Sequence, residues 1–332
     1  MEYVYKPKGK FLWDFWVYEE DGEYHLFYLQ APLDPDPHSR HRNASIGHAV
    51  STDLFEWKEI GTALTADNDE AAWDSVSTWT GCTLKKGDTY YMFYTARSKK
   101  DVADDGYVGH TQRIGVALSK DLYHWEKYEG NPVITADERY YEKQLQAYNK
   151  HEGWRDPDIV FDEKTGYYYM FVTARDKTGD PRERGCIGRA RSKDLLNWEA
   201  LPPAASPHLF TDMEVPSLHY RNGKWYMLFA VKEEWYSEEY KQQIAPKKPQ
   251  TGEIYFVSDS LDGEFVPLDD NVLIGTAERQ YTGRVVQGPD REDYFLTWNA
   301  GEDEGYSDVK HPYTLAPPRK IKYDAGGKMH LE

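Results

Sequence analysis

What most constrains this chain is that it repeats itself. A turn residue followed by an aromatic-rich run occurs as Gly22-Glu-Tyr-His-Leu-Phe-Tyr28, Gly87-Asp-Thr-Tyr-Tyr-Met-Phe-Tyr94, Gly166-Tyr-Tyr-Tyr-Met-Phe171 and Gly223-Lys-Trp-Tyr-Met-Leu-Phe229. A fainter copy is Glu292-Asp-Tyr-Phe-Leu-Thr-Trp298. A second phrase follows the first four: Ser51-Thr-Asp-Leu-Phe-Glu-Trp57, Ser119-Lys-Asp-Leu-Tyr-His-Trp125, Ser192-Lys-Asp-Leu-Leu-Asn-Trp198 and, more loosely, Ser258-Asp-Ser-Leu-Asp-Gly-Glu-Phe265. Short strand-like runs precede these turns at 46–50, 114–118, 187–191 and 254–257. The Asp-Leu-x-x-Trp units stand 68 and 73 residues apart, and five such units account for essentially all 332 residues.

Each unit reads as an opening strand, the aromatic strand, a third strand, a tight Ser-x-Asp-Leu turn and a closing strand. Four antiparallel strands joined by short turns form one blade, which cannot bury both faces alone, so the units must stack radially. The spacing is too long for the Trp-Asp repeat of about 40–45 residues. The expected fold is therefore all-β: a five-bladed β-propeller with four-stranded antiparallel blades, as a single domain over 1–332. Aromatic content of 15%, with 27 Tyr and 11 Trp, agrees with pleated, half-buried surfaces. Longer segments interrupt the repeat at 98–112, 134–153 and 232–250, the last with helical character; loops of this length are often functional.

Bulk properties exclude several function classes. A net charge of −17 without a concentrated basic cluster argues against a nucleic-acid partner. No apolar run approaches the roughly 18 residues of a membrane span. The N-terminus, MEYVYKPKGKFLW, has no apolar core or cleavage site of a signal peptide, which makes cytoplasmic residence the simplest expectation. Cys82 and Cys186, the two cysteines, are expected buried and reduced. No cofactor is implied and no metal ligand is assigned, although a structural cation in the channel stays open. The oligomeric state is not legible.

In a propeller the innermost strand of each blade lines the central channel, and here it should directly precede the aromatic strand. Asp14, Asp156 and Glu214 fall 13, 15 and 14 residues before Phe27, Phe171 and Leu228. Three blades thus offer a carboxyl at nearly one position, where blade two has Thr78 and Thr80 and blade five has Tyr281 and Thr282. Radial symmetry would bring these acids together, raising at least one pKa, and two carboxyls in different protonation states are what glycoside cleavage needs. Trp13, Phe15 and Trp16 flank Asp14 as a collar for a sugar face; Trp73 and Trp79 bracket the blade-two entry, and Trp154 and Arg155 precede Asp156. Any single acid among 57 is more often a surface residue. Asp158 and Asp212, two residues from Asp156 and Glu214 and so on the same strand face, are rivals for the catalytic roles.

At these residues the chain resembles glycoside hydrolase family 32 and its clan partner family 68, the β-fructofuranosidase and levansucrase group. Gly47-His-Ala-Val-Ser-Thr-Asp-Leu-Phe-Glu-Trp57 is similar to the family 32 phrase Gly-His-Ala-x-Ser-x-Asp-Leu-x-x-Trp. Trp154-Arg-Asp-Pro157 matches an Arg-Asp-Pro motif, Met213-Glu-Val-Pro216 sits where the family has Glu-Cys-Pro, and Trp79-Thr-Gly-Cys82 resembles a substrate-binding Ser-Gly-Ser segment. Leu12-Trp-Asp-Phe-Trp16 departs from the family 32 nucleophile motif and is nearer the Trp-Asp-Ser-Trp of family 68, Val215 replaces a Cys, and Gln30 resembles a pocket Gln displaced by one residue. The C-terminal β-sandwich typical of family 32 is not expected in this stretch.

The resemblance implies a retaining hydrolase of β-fructofuranosides such as sucrose, fructo-oligosaccharides or fructans. Asp14 would be the nucleophile, Glu214 the acid/base and Asp156 the transition-state stabiliser, with Trp13, Phe15, Trp16, Gln30, Trp79, Thr80 and Arg155 binding substrate. The partner is then a carbohydrate. Three readings compete: an inverting arabinofuranosidase or xylosidase like family 43, which shares the propeller and a similar acid triad; a catalytically silent sugar-binding propeller; and a protein-interaction scaffold.

Overall fold

A computed structural model describes residues 2–143 and 152–332, so the middle of the 134–153 insertion lies outside the described residues. Five antiparallel sheets follow one another along the chain. Blade one comprises Lys10–Glu20, Glu23–Pro32, Ser45–Ser51 and Lys58–Leu64. Blade two is built on Ser77–Lys86, Thr89–Arg97 and Arg113–Ser119, whose outer partners are the short Glu126–Lys127 and Ile134–Thr135. Blade three contains Trp154–Asp162, Tyr167–Arg175, Gly185–Ser192 and Glu199–Ala205, and blade four Glu214–Arg221, Lys224–Val231, Gly252–Ser258 and Val266–Ile274. Blade five has Gln280–Gln287, Asp293–Asn299, Arg319–Tyr323 and Met329–Leu331, with Thr314–Leu315 added alongside its second strand. The first strands of successive blades pack side by side and the fifth meets the first, closing the expected five-bladed propeller.

Both repeated phrases have a mechanical reason. In the turn, the Ser51 hydroxyl accepts the N–H groups of Asp53 and Leu54, and the Asp53 carboxylate accepts those of Phe55 and Glu56. This holds Leu54 at φ +70°, and the equivalents Leu122 and Leu195 adopt +68° and +76°. The closing tryptophans Trp57, Trp125 and Trp198 each donate their indole N–H to that leucine's carbonyl at 2.9–3.0 Å. Blades are then joined edge to face: Phe27 meets Trp125, Phe93 meets Trp198 and Phe171 meets Phe265, at ring separations of 5.7, 5.7 and 5.8 Å. Such pairs contribute about 0.5–1.5 kcal/mol each beyond the area they bury. The Ser-x-Asp-Leu-x-x-Trp phrase is thus a turn and an inter-blade contact, remote from the channel.

Ring closure uses the N-terminus. Val4 donates to Leu315 and Leu315 donates to Tyr5, so the first residues extend the sheet of the last blade. Within the 232–250 segment a helix, Glu238–Ile244, forms as the sequence suggests, with the Ser237 hydroxyl capping Tyr240 N–H. Cys82 and Cys186 are buried and free.

Candidate active site

All five inner strands break register at nearly the same level, between residues 12 and 15, 79 and 81, 155 and 158, 214 and 217, and 281 and 283. Each break is a β-bulge, which re-aims side chains and lets them converge. Asp156, Val215 and Thr282 take up the strain at φ +58°, +53° and +40°. In blade two the bulge leaves no room for a side chain after Thr80: a Cβ on Gly81 would stand 1.8 Å from the Phe93 carbonyl oxygen. The unequal offsets of the three acids in the sequence reflect where each bulge begins.

The bulges surround a cavity of about 630 Å³ at one end of the channel, within the range for small-molecule sites. Asp14, Asp156 and Glu214 all line it, as do Asp212, Trp13, Trp79, Thr80 and Arg155. The structure thus brings the three expected acids and four of the seven expected contact residues to one cavity. Three do not reach the cavity. Phe15 is buried on the core side of blade one, because the bulge turns Asp14 but not its neighbour toward the channel. Trp16 stacks on Phe27 and donates its indole N–H to Thr83 at 2.9 Å. Gln30 is consumed between strands by Lys10 and Thr62, and Leu29 lines the cavity in its place. Trp73 packs on Tyr94, and Trp154 on Tyr141 in the core.

Asp14 Oδ1 accepts from Thr282 at 3.0 Å and from the Trp298 indole at 3.2 Å, whereas Oδ2 has only a 3.5 Å contact with Thr80. Burial, reinforced by the negative charge of Glu214, pushes Asp14 up to about 6. Asp156 accepts from Thr173 at 3.0 Å, with Arg155 Nε at 3.3 Å. Burial pushes it up to about 7 although Arg155 pulls the other way. Both shifts are dominated by desolvation rather than by the like-charge crowding expected from sequence. Glu214 is held at both oxygens, by Arg155 at 2.7 Å and by the Tyr281 hydroxyl at 2.8 Å. Arg155 Nη2 also reaches Asp212 at 2.8 Å, so one guanidinium serves three carboxylates and stays charged.

The two rival acids separate cleanly. Asp212 precedes the inner strand of blade four and is occupied in holding Arg155 and its own loop. Asp158 does not share a face with Asp156, because the bulge inserts a residue between them; its carboxylate accepts the Leu218 N–H at 2.7 Å, away from the cavity.

Several cavity residues escaped the sequence reading. Trp298 closes the faint fifth aromatic phrase and reaches Asp14 only because the ring closes. Tyr281 and Thr282 were seen as blade-five counterparts of the acids, but not as donors to them. Arg40 is buried over Trp13 and Tyr313 and is ion-paired to Asp303 and to Glu304, the latter at 2.7 Å. Arg97 stacks on Trp79 at 4.1 Å. Arg40 comes from the segment between the second and third strands of blade one, which carries no repeat signal, whereas Arg97 ends the second strand of blade two. Among the described residues no cluster of three or more His, Cys, Asp or Glu side chains is disposed to hold a metal ion.

With this geometry in place, the decisive comparison is that residues 14–331 match the family described as Glycosyl hydrolases family 32 N-terminal domain. The chain belongs to family 32. It is 27% identical over 301 residues to a sucrose-6-phosphate hydrolase of Streptococcus mutans, covering 88% of this chain and 55% of that protein. It is 30% identical over 187 residues to a fructan 6-exohydrolase of Triticum aestivum, covering 54% of this chain and 27% of that one. This family 32 chain spans about half the length of the sucrose-6-phosphate hydrolases it matches. Among solved structures, an inulosucrase from Halalkalicoccus jeotgali bound to kestose superposes with a TM-score of 0.77 at 23% identity, covering 99% of this chain and 91% of that one. That likeness concerns the fold.

Proposed function

We propose that the protein cleaves β-fructofuranosides by double displacement. The observation that carries this reading is the arrival of Asp14, Asp156 and Glu214, from three different blades, in one cavity where Arg155, Tyr281 and Thr282 donate to them. Asp14 Oδ1 is fixed by two donors, so the freer Oδ2 is the oxygen that attacks the anomeric carbon of the fructosyl unit. As that bond forms, the bond to the leaving oxygen breaks and Glu214 delivers a proton to it. Water then adds to the anomeric carbon, Glu214 takes up its proton, and Asp14 departs as carboxylate. Asp156 binds ring hydroxyls that draw closer as positive charge grows on the sugar. Trp13, Trp79 and Trp298 line the walls.

Membership of family 32 weighs against the inverting, family 43-like alternative. The sugar-binding and scaffold readings predict no turnover. Sucrose, sucrose 6-phosphate, inulin and levan form the test panel, with the anomer first released followed by NMR. Retained configuration on at least one of them is expected, together with loss of turnover but normal folding in Asp14→Ala. Inversion, or no turnover of any β-fructofuranoside, overturns the proposal. The phosphorylated substrate belongs in the panel because Arg42 and Lys232 line the cavity beside its acids.

A further inference from the structure

The roles just described make no use of Arg284, a buried cation behind the two reacting acids. Arg284 lies on the inner strand of blade five, two residues beyond Thr282, is 5% exposed, and does not line the cavity. Its Nε donates to the Phe15 carbonyl at 3.1 Å and its Nη1 to the Pro216 carbonyl at 2.7 Å. Phe15 directly follows Asp14. Pro216 is two residues beyond Glu214, inside the bulge of blade four, where no ladder partner is present for its carbonyl.

The ring places blade five between blades four and one, so the spacing of the Glu214 and Asp14 strands is set across it. One short run of that strand contacts both acid-bearing strands twice. Tyr281 holds the Glu214 side chain and Thr282 the Asp14 side chain, while Arg284 holds the two backbones. A guanidinium is a planar fork whose donors have fixed separation, which makes it a spacer in a way that a single ammonium is not. We infer that Arg284 is a positioning residue that fixes the nucleophile strand against the acid/base strand and thereby sets the separation of the Asp14 and Glu214 carboxyls. This rests on the roles assigned above to those two acids.

A competing role is simple neutralisation. Burial raises Asp158 and drives Glu253 well above the ordinary carboxylate range, with the charge of Arg284 opposing both. Arg284→Lys separates the two ideas, because it keeps the charge and loses the two-pronged span; Arg284→Gln is the second variant, uncharged but able to donate. The control is Asp293→Asn at the junction of blades four and five, which loosens contacts to His219 and Tyr323 far from the cavity.

Each full-length variant is assayed on sucrose and the rest of the panel, with Tm recorded. Misplacement of reacting groups by about 1 Å costs on the order of 100-fold in rate. Arg284→Lys should therefore lose roughly 30- to 300-fold in kcat with KM changed less than about threefold, at a Tm no lower than that of the control. A kcat within about threefold of wild type, or a loss no greater than that of Asp293→Asn at equal Tm, overturns the inference. Crystal structures of wild type and both variants give a readout independent of turnover. A carboxyl separation shifted by about 0.5 Å or more supports the role and an unchanged one refutes it. A wild-type protein without turnover would count against the proposed function alone.

Discussion

Replacing Asp156 with asparagine should stabilise the protein at neutral pH while disabling it. Burial lifts this carboxyl from 3.8 to about 7, a difference of roughly 3 pH units, and each unit corresponds to about 1.36 kcal/mol. Keeping the group ionised in the folded state therefore costs up to about 4 kcal/mol, of which asparagine should recover about 2–4, since Asp14 and Glu214 readjust when the charge disappears. The sign follows from linkage. A carboxyl raised on folding favours the native state below its unfolded value, and that contribution is lost as pH climbs through its folded value. The variant should match wild type near pH 4 and exceed it increasingly up to pH 8. Arg155 stays neutralised by Asp212 and Glu214, and the asparagine carbonyl can still accept from Thr173. For 332 residues the unfolding entropy is about 0.7 kcal/mol per degree, so Tm should rise by roughly 3–6 °C at pH 8. Calorimetry at pH 4.5 and pH 8 reads the difference. A lower Tm at pH 8, or the same offset at both pH values, would refute the reasoning.

Other consequences are equally direct. Because Asp14 must be ionised to attack and is held at about 6, the acid limb of kcat/KM should climb about tenfold per unit up to that pH; a profile flat down to pH 4.5 argues against Asp14 as nucleophile. Tyr281→Phe removes the 2.8 Å donor to Glu214 and should lower kcat/KM by about 10- to 100-fold with little change in Tm, which steady-state kinetics and melting curves test together. Arg40→Met leaves Asp303 and Glu304 without their buried cation and should cost about 3–5 kcal/mol in denaturant unfolding; a loss below 1 kcal/mol would show that His38 and His41 suffice as partners.

The legibility of the site varied with the range of the contacts involved. Asp14, Asp156 and Glu214 could be found because each sits at one level of a repeating unit, and the repeat is written in local turn chemistry and aromatic runs. Phe15 and Trp16 were expected as a collar because they flank Asp14, but the bulge turns Asp14 alone toward the channel; Gln30 was expected from the family resemblance, and its side chain is taken up by Lys10 and Thr62. Asp158 was misjudged because of the corresponding bulge in blade three. A bulge adds one residue without a sequence signature strong enough to announce it, and it reverses the facing of everything beyond.

By itself the sequence determined the blade count, the turn and inter-blade aromatics, and which inner strands bring acids, since all of these are short-range patterns copied from unit to unit. Only the tertiary structure decided what those acids meet. Arg40 and Glu304, 264 residues apart, share a buried ion pair, and Trp298 and Thr282 reach Asp14 from the far end of the chain. Such pairings exist only when blade five closes on blade one. Ring closure is a property of the accumulated rotation of all five units, which no local stretch of residues encodes.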